Sequence, residues 1–209
     1  VKPGAEPSPF WPADTSIEMA TGLPPWMFSH LRLVPAHSYA DAPLSSDRQR
    51  HPVIVYSHGF NSSPWQNNVQ MEELASHGYV VVSIAHTYDS SRVVFPDGRV
   101  VLDNGRSRSA PPTREEQAKW IERFRRVDAE RDPEVIRKLW REIGPLYPFA
   151  EPSVPVWPAD VRFVLDKLTA IEAGAASDVT GPWRQFAGRL DLERLGVMGQ
   201  SFGGSTAGL

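Results

Sequence analysis

The sequence of 209 residues contains no cysteine, and this absence excludes several kinds of site. Disulfide bonds, zinc sites built on thiolates and a cysteine nucleophile all need that side chain. Long apolar runs are missing as well, because none approaches the roughly 18 residues of a membrane-spanning helix. Residues 1–4 show no charged segment that leads into an apolar core, so no signal peptide is predicted.

Charge of one sign is not in excess either, since Lys and Arg total 22 against 25 for Asp and Glu. A nucleic-acid-binding surface needs a basic excess, and we therefore expect no DNA or RNA partner. With 41% hydrophobic and 22% charged residues, the composition is that of a globular protein rather than a disordered tail, a collagen or a coiled coil. We expect one soluble domain, and a secreted or periplasmic location stays open.

Proline is the abundant residue, with 20 copies that crowd residues 3–52 and 111–158. These stretches predict long ordered connections with short helices inside them, the first of them around Trp26 and Met27. Residues 113–143 have a helical pattern, with a capping box of Thr113 and Glu116, a second helix start at Asp132-Pro133 and a stop at Gly144-Pro145. The mixed charges of this segment favour solvated helix faces over a binding site for a charged ligand. Four segments are expected: a Pro-rich connection (1–50), a strand, a βαβ unit and a hairpin (51–103), a charged helical insertion (104–157), and a helix, a strand and a sharp turn (158–209).

Apolar, β-branched runs predict three strands, at residues 53–57, 79–85 and 194–199. A helical pattern over residues 66–77 joins the first two strands into a βαβ unit. Another helical pattern over residues 158–173 precedes the third. The sequence therefore predicts an α/β domain in which the three strands are adjacent and parallel.

The third strand ends in Gly199-Gln200-Ser201-Phe202-Gly203, which fits the Gly-x-Ser-x-Gly nucleophile elbow. In that motif a serine lies on a sharp strand-to-helix turn, and small neighbours let the backbone turn tightly against the sheet. The run of small residues over 203–208 suits a helix packed close to the sheet. Ser201 is the candidate nucleophile. An ordinary Gly-rich turn is the alternative, and a phosphate-binding loop fits less well because no Lys follows the glycines.

Two histidines follow the other predicted strands, at the sheet edge where sites form in α/β proteins. After His58, the Phe60 N–H is placed to form an oxyanion hole together with the Phe202 N–H. For His58, a hydrogen bond that shapes the loop is favoured over a role as general base. For His86, a place in the wall of the pocket is favoured over the same role.

Three segments together resemble one family. They read PVIVYSHGF (52–60), LASHGYVVVSIAH (74–86) and LGVMGQSFGG (195–204). They are similar to the α/β-hydrolases related to plasma and intracellular type II platelet-activating factor acetylhydrolases, a group with many bacterial esterases. The resemblance implies a doubly wound, mostly parallel sheet and a serine esterase with Ser201 as nucleophile. The residue before the serine is usually His in this family, and Gln200 at this outward position is expected to have a small effect at most.

The resemblance also implies a substrate class. It favours short-acyl esters, including phospholipid acetyl esters of the platelet-activating-factor type, and hence a role in lipid degradation. Polyester-degrading, cutinase-like or lipase-like activity is the alternative. The expected substrate-binding residues are Phe60, Trp65, His86 and Tyr88, and no metal or cofactor is implied.

In the α/β-hydrolase fold the catalytic acid and histidine follow the serine in chain order, but residues 202–209 contain neither an Asp nor a His. We therefore expect the acid and the base to lie outside this chain, and the sheet to be incomplete at both ends. The chain alone is then expected to be inactive, with the missing remainder of its own domain as a partner. A non-catalytic α/β-hydrolase-like binding module is the interpretation from another class. A fluorophosphonate probe distinguishes the two, since only an activated serine reacts with it.

Overall fold

The structure is a computed structural model that describes residues 7–8, 26–27, 30, 33–103, 113–143, 150–175 and 181–208. Its elements in chain order are β1 (His51–Ser57), α1 (Asn68–Ser76), β2 (Val80–Ile84), β3 (Arg92–Val94), β4 (Val100–Leu102), α2 (Arg114–Ala129), α3 (Pro133–Ile143), α4 (Val156–Glu172), β5 (Leu190–Gly199) and α5 (Phe202–Ala207). The chain divides into two compact units, Val1–Asp103 with Val156–Leu209, and Asn104–Pro155.

Three strands of the larger unit form a parallel sheet in the order β2-β1-β5. Val55 of β1 lies opposite Val82 on one side and Val197 on the other. Val53 and Val55 are completely buried, as their apolar, β-branched sequence predicts for a strand covered on both faces. The predicted strands therefore form one parallel sheet with β1 in the centre.

The pairing between β1 and β5 is interrupted at its beginning. Pro52 lies opposite Asp191, but the next pair along β1 is Val53 with Leu195, so residues 192–194 have no partner on β1. Proline has no N–H to donate to a ladder, which makes this a natural place for an irregularity. Beyond it the register is regular to the end of both strands, where Ser57 lies opposite Gly199.

Helix α4 covers the sheet and completes the core. The buried apolar residues of this cluster are Val53, Val55, Val80, Ile84, Val161, Leu168, Ile171 and Leu190. The helical spacing of Val161, Leu168 and Ile171 places them on the face toward the sheet, as expected for an amphipathic helix. The helix begins at Val156, two residues before the pattern predicts, and its first turn contains the fully buried Trp157.

Two of the short turns between elements contain a glycine with a positive φ. Gly78 has φ +89 and follows α1, which ends at Ser76. Gly98 has φ +82 in the turn of the antiparallel β3–β4 hairpin, where the Phe95 N–H donates to the Arg99 carbonyl at 2.9 Å. Residues with a side chain rarely adopt such φ values. The β3–β4 pair is the hairpin that the sequence predicts within residues 51–103.

The smaller unit consists mainly of α2 and α3. Helix α3 begins at the predicted position, since the Asp132 carboxylate accepts the Glu134 N–H at 2.8 Å as a cap. Leu139 is buried within this unit, whereas Trp140 is 49% exposed and contacts Phe124 at a ring distance of 5.9 Å. The Glu116 side chain of the predicted capping box and the predicted stop at residues 144–145 lie outside what the structure describes.

Near the N-terminus, the predicted short helix is described only at residues 26–27, 30 and 33, which lie in 3₁₀ turns, and Trp26 is 72% exposed. The other residues predicted for that helix lie outside the described ranges. No helix within the described ranges is long and apolar enough to cross a membrane.

Helix α5 packs against the end of β1 at Gly203, and a substitution of this glycine tests how close the two backbones are. A Cβ atom on Gly203 would lie 2.1 Å from the Ser57 carbonyl oxygen and 2.4 Å from that of His58. We expect Gly203→Ala to lower the free energy of unfolding by at least about 2 kcal/mol, because backbone atoms must move to admit the methyl group.

Urea denaturation measures this change. Gly208→Ala is the matched control, since its Cβ would have no atom closer than 3.7 Å. We expect that control to change the free energy of unfolding by no more than about 0.5 kcal/mol. Equal effects of the two variants would show that the close approach of α5 to β1 does not exist.

Candidate active site

Ser201 lies between the end of β5 and the start of α5 in a strained backbone conformation. Its φ is 53 and its ψ is −118, a region that residues with side chains rarely enter and that costs about 1–3 kcal/mol. The turn is closed by the Gly203 N–H on the Gln200 carbonyl at 2.9 Å and by the Ser205 N–H on the Ser201 carbonyl at 3.1 Å. Ser201 is exposed to solvent at the tip of this turn, which is the strand–turn–helix setting of a nucleophile elbow.

Both glycines of the elbow are required by close backbone contacts. A Cβ atom on Gly199 would lie 2.3 Å from the carbonyl carbon and oxygen of Gly203. A Cβ on Gly203 would in turn meet the end of β1. The Gly-x-Ser-x-Gly pattern therefore reflects how tightly the turn is folded against itself and against the sheet.

The loop after β1 lies beside the elbow. The Gln200 N–H donates to the Ser57 carbonyl at 3.1 Å, which ties the turn to the end of β1. Farther along the loop, the Asn61 N–H donates to the Asp89 carbonyl at 2.8 Å and the Ser91 N–H to the Ser62 carbonyl at 2.8 Å. The segment that carries Phe60 is thus held between the elbow and the turn that follows β2.

The two residues predicted to form the oxyanion hole are neighbours. The rings of Phe60 and Phe202 meet edge to face, with centroids 5.7 Å apart. Among the hydrogen bonds of the described residues, the Phe202 N–H has no acceptor, although the Gly203 and Ser205 N–H groups that follow it are both paired. The convergence of the two backbone nitrogens on one oxygen stays a prediction.

Two glutamine side chains connect the elbow to the loop. Gln66 accepts the Gly59 N–H on its Oε1 at 2.8 Å and donates from its Nε2 to the Gln200 Oε1 at 3.0 Å. A Cβ on Gly59 would lie 2.3 Å from that same Gln200 oxygen. Gln200, for which sequence analysis expects a small effect, therefore lies against the loop backbone.

His58 is completely buried under the loop. Its Nδ1 lies 2.7 Å from the Gly59 carbonyl oxygen, which only accepts, so Nδ1 carries the proton. Its Nε2 then accepts from the Ser90 hydroxyl at 2.7 Å and from the His86 N–H at 3.3 Å. Burial lowers the pKa of His58 to about 4, so the ring is neutral near pH 7. This geometry supports the loop-shaping interpretation of His58.

A second serine has a histidine and an aspartate in line with it. Ser57 Oγ lies 3.2 Å from His86 Nε2, and His86 Nδ1 lies 2.8 Å from the Asp160 carboxylate. This is the connectivity of a Ser-His-Asp triad, but Ser57 is 0% exposed and His86 is 1% exposed. A nucleophile must reach the substrate, so the arrangement fits a buried structural network and Ser201 is the better candidate.

Trp157 lies at the centre of the aromatic residues around the site and is 0% exposed. Its indole stacks on His86 at 3.7 Å and meets Phe202 edge to face at 4.7 Å. It also lies nearly parallel to Phe60 at 6.3 Å, and its Nε1–H donates to the Asp89 carboxylate at 2.8 Å. The sequence pattern does not indicate this residue, because the helical pattern begins only at residue 158.

Comparison with known proteins adds to this geometry. The family described as platelet-activating factor acetylhydrolase, isoform II, matches residues 26–140, which is more than half of the chain. The chain belongs to this family. The match ends before the elbow, so the interpretation of Ser201 rests on the motif and on the geometry of its turn.

A solved structure, described as ferulic acid esterase from Streptomyces cinnamoneus, is similar over almost the whole chain. The TM-score is 0.58 with 25% sequence identity, and the similarity covers 99% of this chain and 44% of that one. This chain therefore spans less than half the length of that structure. Together with the parallel sheet and its flanking helices, the similarity confirms the α/β-hydrolase fold.

The other predicted substrate-binding residues, Tyr88, Trp65 and His86, lie in three different surroundings. Tyr88 is 56% exposed, has φ +73, and lines a cavity of about 480 Å³ between the end of β2 and α4. Ser201, Phe60 and Phe202 do not line this cavity. Trp65 is half-buried in the turn that precedes α1.

His86 is buried, with both ring nitrogens engaged and one ring face covered by Trp157. The substrate-binding roles of Trp65, His86 and Tyr88 stay predictions. Within the described residues, no group of three or more His, Asp or Glu side chains is arranged to hold a metal ion.

The buried His58 predicts a pH dependence of stability. Its pKa is about 4 in the folded chain against an ordinary 6.5, so between these values the unfolded chain binds a proton that the folded chain does not. The free energy of unfolding should therefore fall as the pH is lowered from about 6.5 to about 4, with a contribution from His58 on the order of 3 kcal/mol.

Urea denaturation across that pH range measures the effect, with His58→Asn as the comparison. We expect the variant to be less stable near pH 7 and to lose less stability on acidification than the wild type. Parallel pH profiles for the two proteins would contradict a neutral, buried His58.

Proposed function

We propose that this chain carries the nucleophile and the oxyanion hole of a serine carboxylic-ester hydrolase. The observation that carries the proposal is the exposed Ser201, held in a strained turn beside the loop of Phe60. Membership of the platelet-activating factor acetylhydrolase family and the similarity to an esterase support ester hydrolysis as the reaction.

The proposed reaction begins when the Ser201 hydroxyl attacks the ester carbonyl and a histidine takes its proton. The carbonyl oxygen becomes an oxyanion, which accepts hydrogen bonds from the Phe60 and Phe202 N–H groups. Collapse of this intermediate releases the alcohol, which takes the proton back from the histidine, and leaves an acyl group on Ser201. A water molecule, deprotonated by the same histidine, then hydrolyses the acyl-enzyme.

The catalytic acid and histidine follow the serine in this fold, and no described histidine is hydrogen-bonded to Ser201. The reaction is therefore proposed for the full-length protein. The buried His58 and His86 are assigned no proton transfer with substrate, because their ring nitrogens are already engaged inside the fold.

The proposed substrates are short-acyl esters, including phospholipid acetyl esters of the platelet-activating-factor type. The family description supports an acetyl ester. Aromatic esters are the second candidate, favoured by the similarity to a ferulic acid esterase. In either case the Phe60 and Phe202 rings beside the elbow provide apolar surface for the acyl group.

Replacement of Ser201 tests the assignment. In the full-length protein, Ser201→Ala should reduce the hydrolysis of p-nitrophenyl acetate by on the order of a millionfold, because it removes the attacking oxygen. Ser205→Ala is the matched control, since Ser205 is also exposed and lies one turn farther along α5. We expect the control to keep its rate and both variants to keep the circular dichroism of the wild type. A Ser201→Ala protein that retains more than roughly a thousandth of the rate would disprove the assignment.

A fluorophosphonate probe followed by peptide mass spectrometry separates the alternatives. Labelling of Ser201 in the wild-type protein is the expected result. Labelling of Ser57 instead would make the buried Ser57–His86–Asp160 arrangement the reactive one. Absence of labelling would favour a non-catalytic α/β-hydrolase-like binding module.

A further inference from the structure

One indole contacts both residues that carry the proposed oxyanion donors. Trp157 lies 4.7 Å from the Phe202 ring and 6.3 Å from the Phe60 ring, and these two rings lie 5.7 Å from each other. The three rings therefore form a closed triangle that joins α4, the elbow and the loop after β1. No other described aromatic ring contacts both phenylalanines.

Trp157 is itself fixed in position from two sides. Its Nε1–H donates to the Asp89 carboxylate at 2.8 Å, and His86 covers its face at 3.7 Å with the planes only 7° apart. His86 is held in turn by Asp160 at 2.8 Å and by Ser57 at 3.2 Å. An indole with its polar atom paired and its face covered has little freedom to rotate.

Asp89 connects this support to the loop directly. Its side chain accepts from Trp157, while its backbone carbonyl accepts the N–H of Asn61, the residue after Phe60, at 2.8 Å. Asp89 is thus hydrogen-bonded both to the loop and to the indole. A shift of the indole would be passed to the Phe60 backbone through the ring contact, and to the elbow through Phe202.

We propose that Trp157 is a positioning residue that sets the distance between the Phe60 and Phe202 N–H groups, and that it does so through the two phenylalanine rings. The inference rests on the proposed function. Both donors must lie about 2.7–3.1 Å from the developing oxyanion, so their separation controls stabilisation of the transition state more than binding of the ester. A misplacement of about 1 Å costs on the order of 100-fold in rate.

A purely structural role for Trp157 makes a different prediction. Loss of a buried indole would then lower the free energy of unfolding, but the protein that remains folded would keep its kcat and its KM. A positioning role lowers kcat in the folded protein and leaves KM nearly unchanged. The split between kcat and KM therefore separates the two roles.

The experiment compares three substitutions in the full-length protein, with p-nitrophenyl acetate as substrate and urea denaturation to establish that each variant is folded. Trp157→Phe keeps a ring but loses the hydrogen bond to Asp89, and we expect kcat to fall by about 10-fold. Trp157→Leu removes the ring, and we expect a fall of about 100-fold. Trp183→Leu is the control, because Trp183 is 49% exposed, and its kcat should stay within about 2-fold of the wild type.

Asp89 provides the rescue by a conservative variant. Asp89→Asn keeps an oxygen that accepts from the indole, and we expect a kcat close to that of the wild type. Asp89→Leu removes the acceptor and should behave like Trp157→Phe. If Trp157→Leu does not fold, Trp157→Phe and the Asp89 pair decide the question.

A trifluoromethyl ketone gives an independent readout of the oxyanion hole, since it forms a hemiketal anion on the serine. Its inhibition constant should rise in each Trp157 variant by about the factor by which kcat falls. Unchanged kcat and unchanged inhibition in folded Trp157 variants of an enzyme that depends on Ser201 would overturn the positioning role. A wild-type protein without Ser201-dependent hydrolysis would instead overturn the proposed function.

Discussion

The site depends on a place where two backbones come closer than any side chain permits. Gly203 of α5 lies directly over the Ser57 and His58 carbonyls at the end of β1. Because no side chain separates the two backbones, the elbow packs directly against the end of β1. The strained φ of Ser201 belongs to the same tight turn. The esterase similarity, which covers 99% of this chain, places the chain within the α/β-hydrolase fold.

Beneath that contact, three buried polar side chains are paired, whereas Tyr56 Oη, Asn61 Oδ1 and Ser63 Oγ on the same strand and loop have no partner among the described residues. Ser57, His58 and His86 are almost completely inaccessible, and each side chain has a partner at hydrogen-bonding distance. In a medium of low dielectric constant, an unpaired polar group is costly, so the hydrogen bonds of Ser57, His58 and His86 favour one arrangement of the strand ends over its alternatives. These hydrogen bonds anchor the start of the loop, while Ser201 is exposed to solvent.

The strands and the elbow could be predicted from the sequence, because each depends on a local pattern of residues. The strands follow from β-branched runs such as Val53–Tyr56, and the elbow from glycines that the tight turn demands. Trp157, Gln66 and Asp160 escaped prediction because their roles depend on partners 68, 134 and 74 positions away in the chain. Periodicity reports which face of an element is buried, but not which side chain it meets there, so the support around the loop emerged only from the three-dimensional structure.

The interruption of the β1–β5 pairing after Pro52 affects how β5 would tolerate the insertion or deletion of a residue. Residues 192–194 have no partner on β1, and every pair from Val53 with Leu195 to Ser57 with Gly199 lies beyond them. A residue gained or lost within this bulge would be absorbed locally, without shifting the alternation of side chains farther along the strand. A change of one residue in the early part of β5 would therefore leave Ser201, beyond the far end of the strand, in its place.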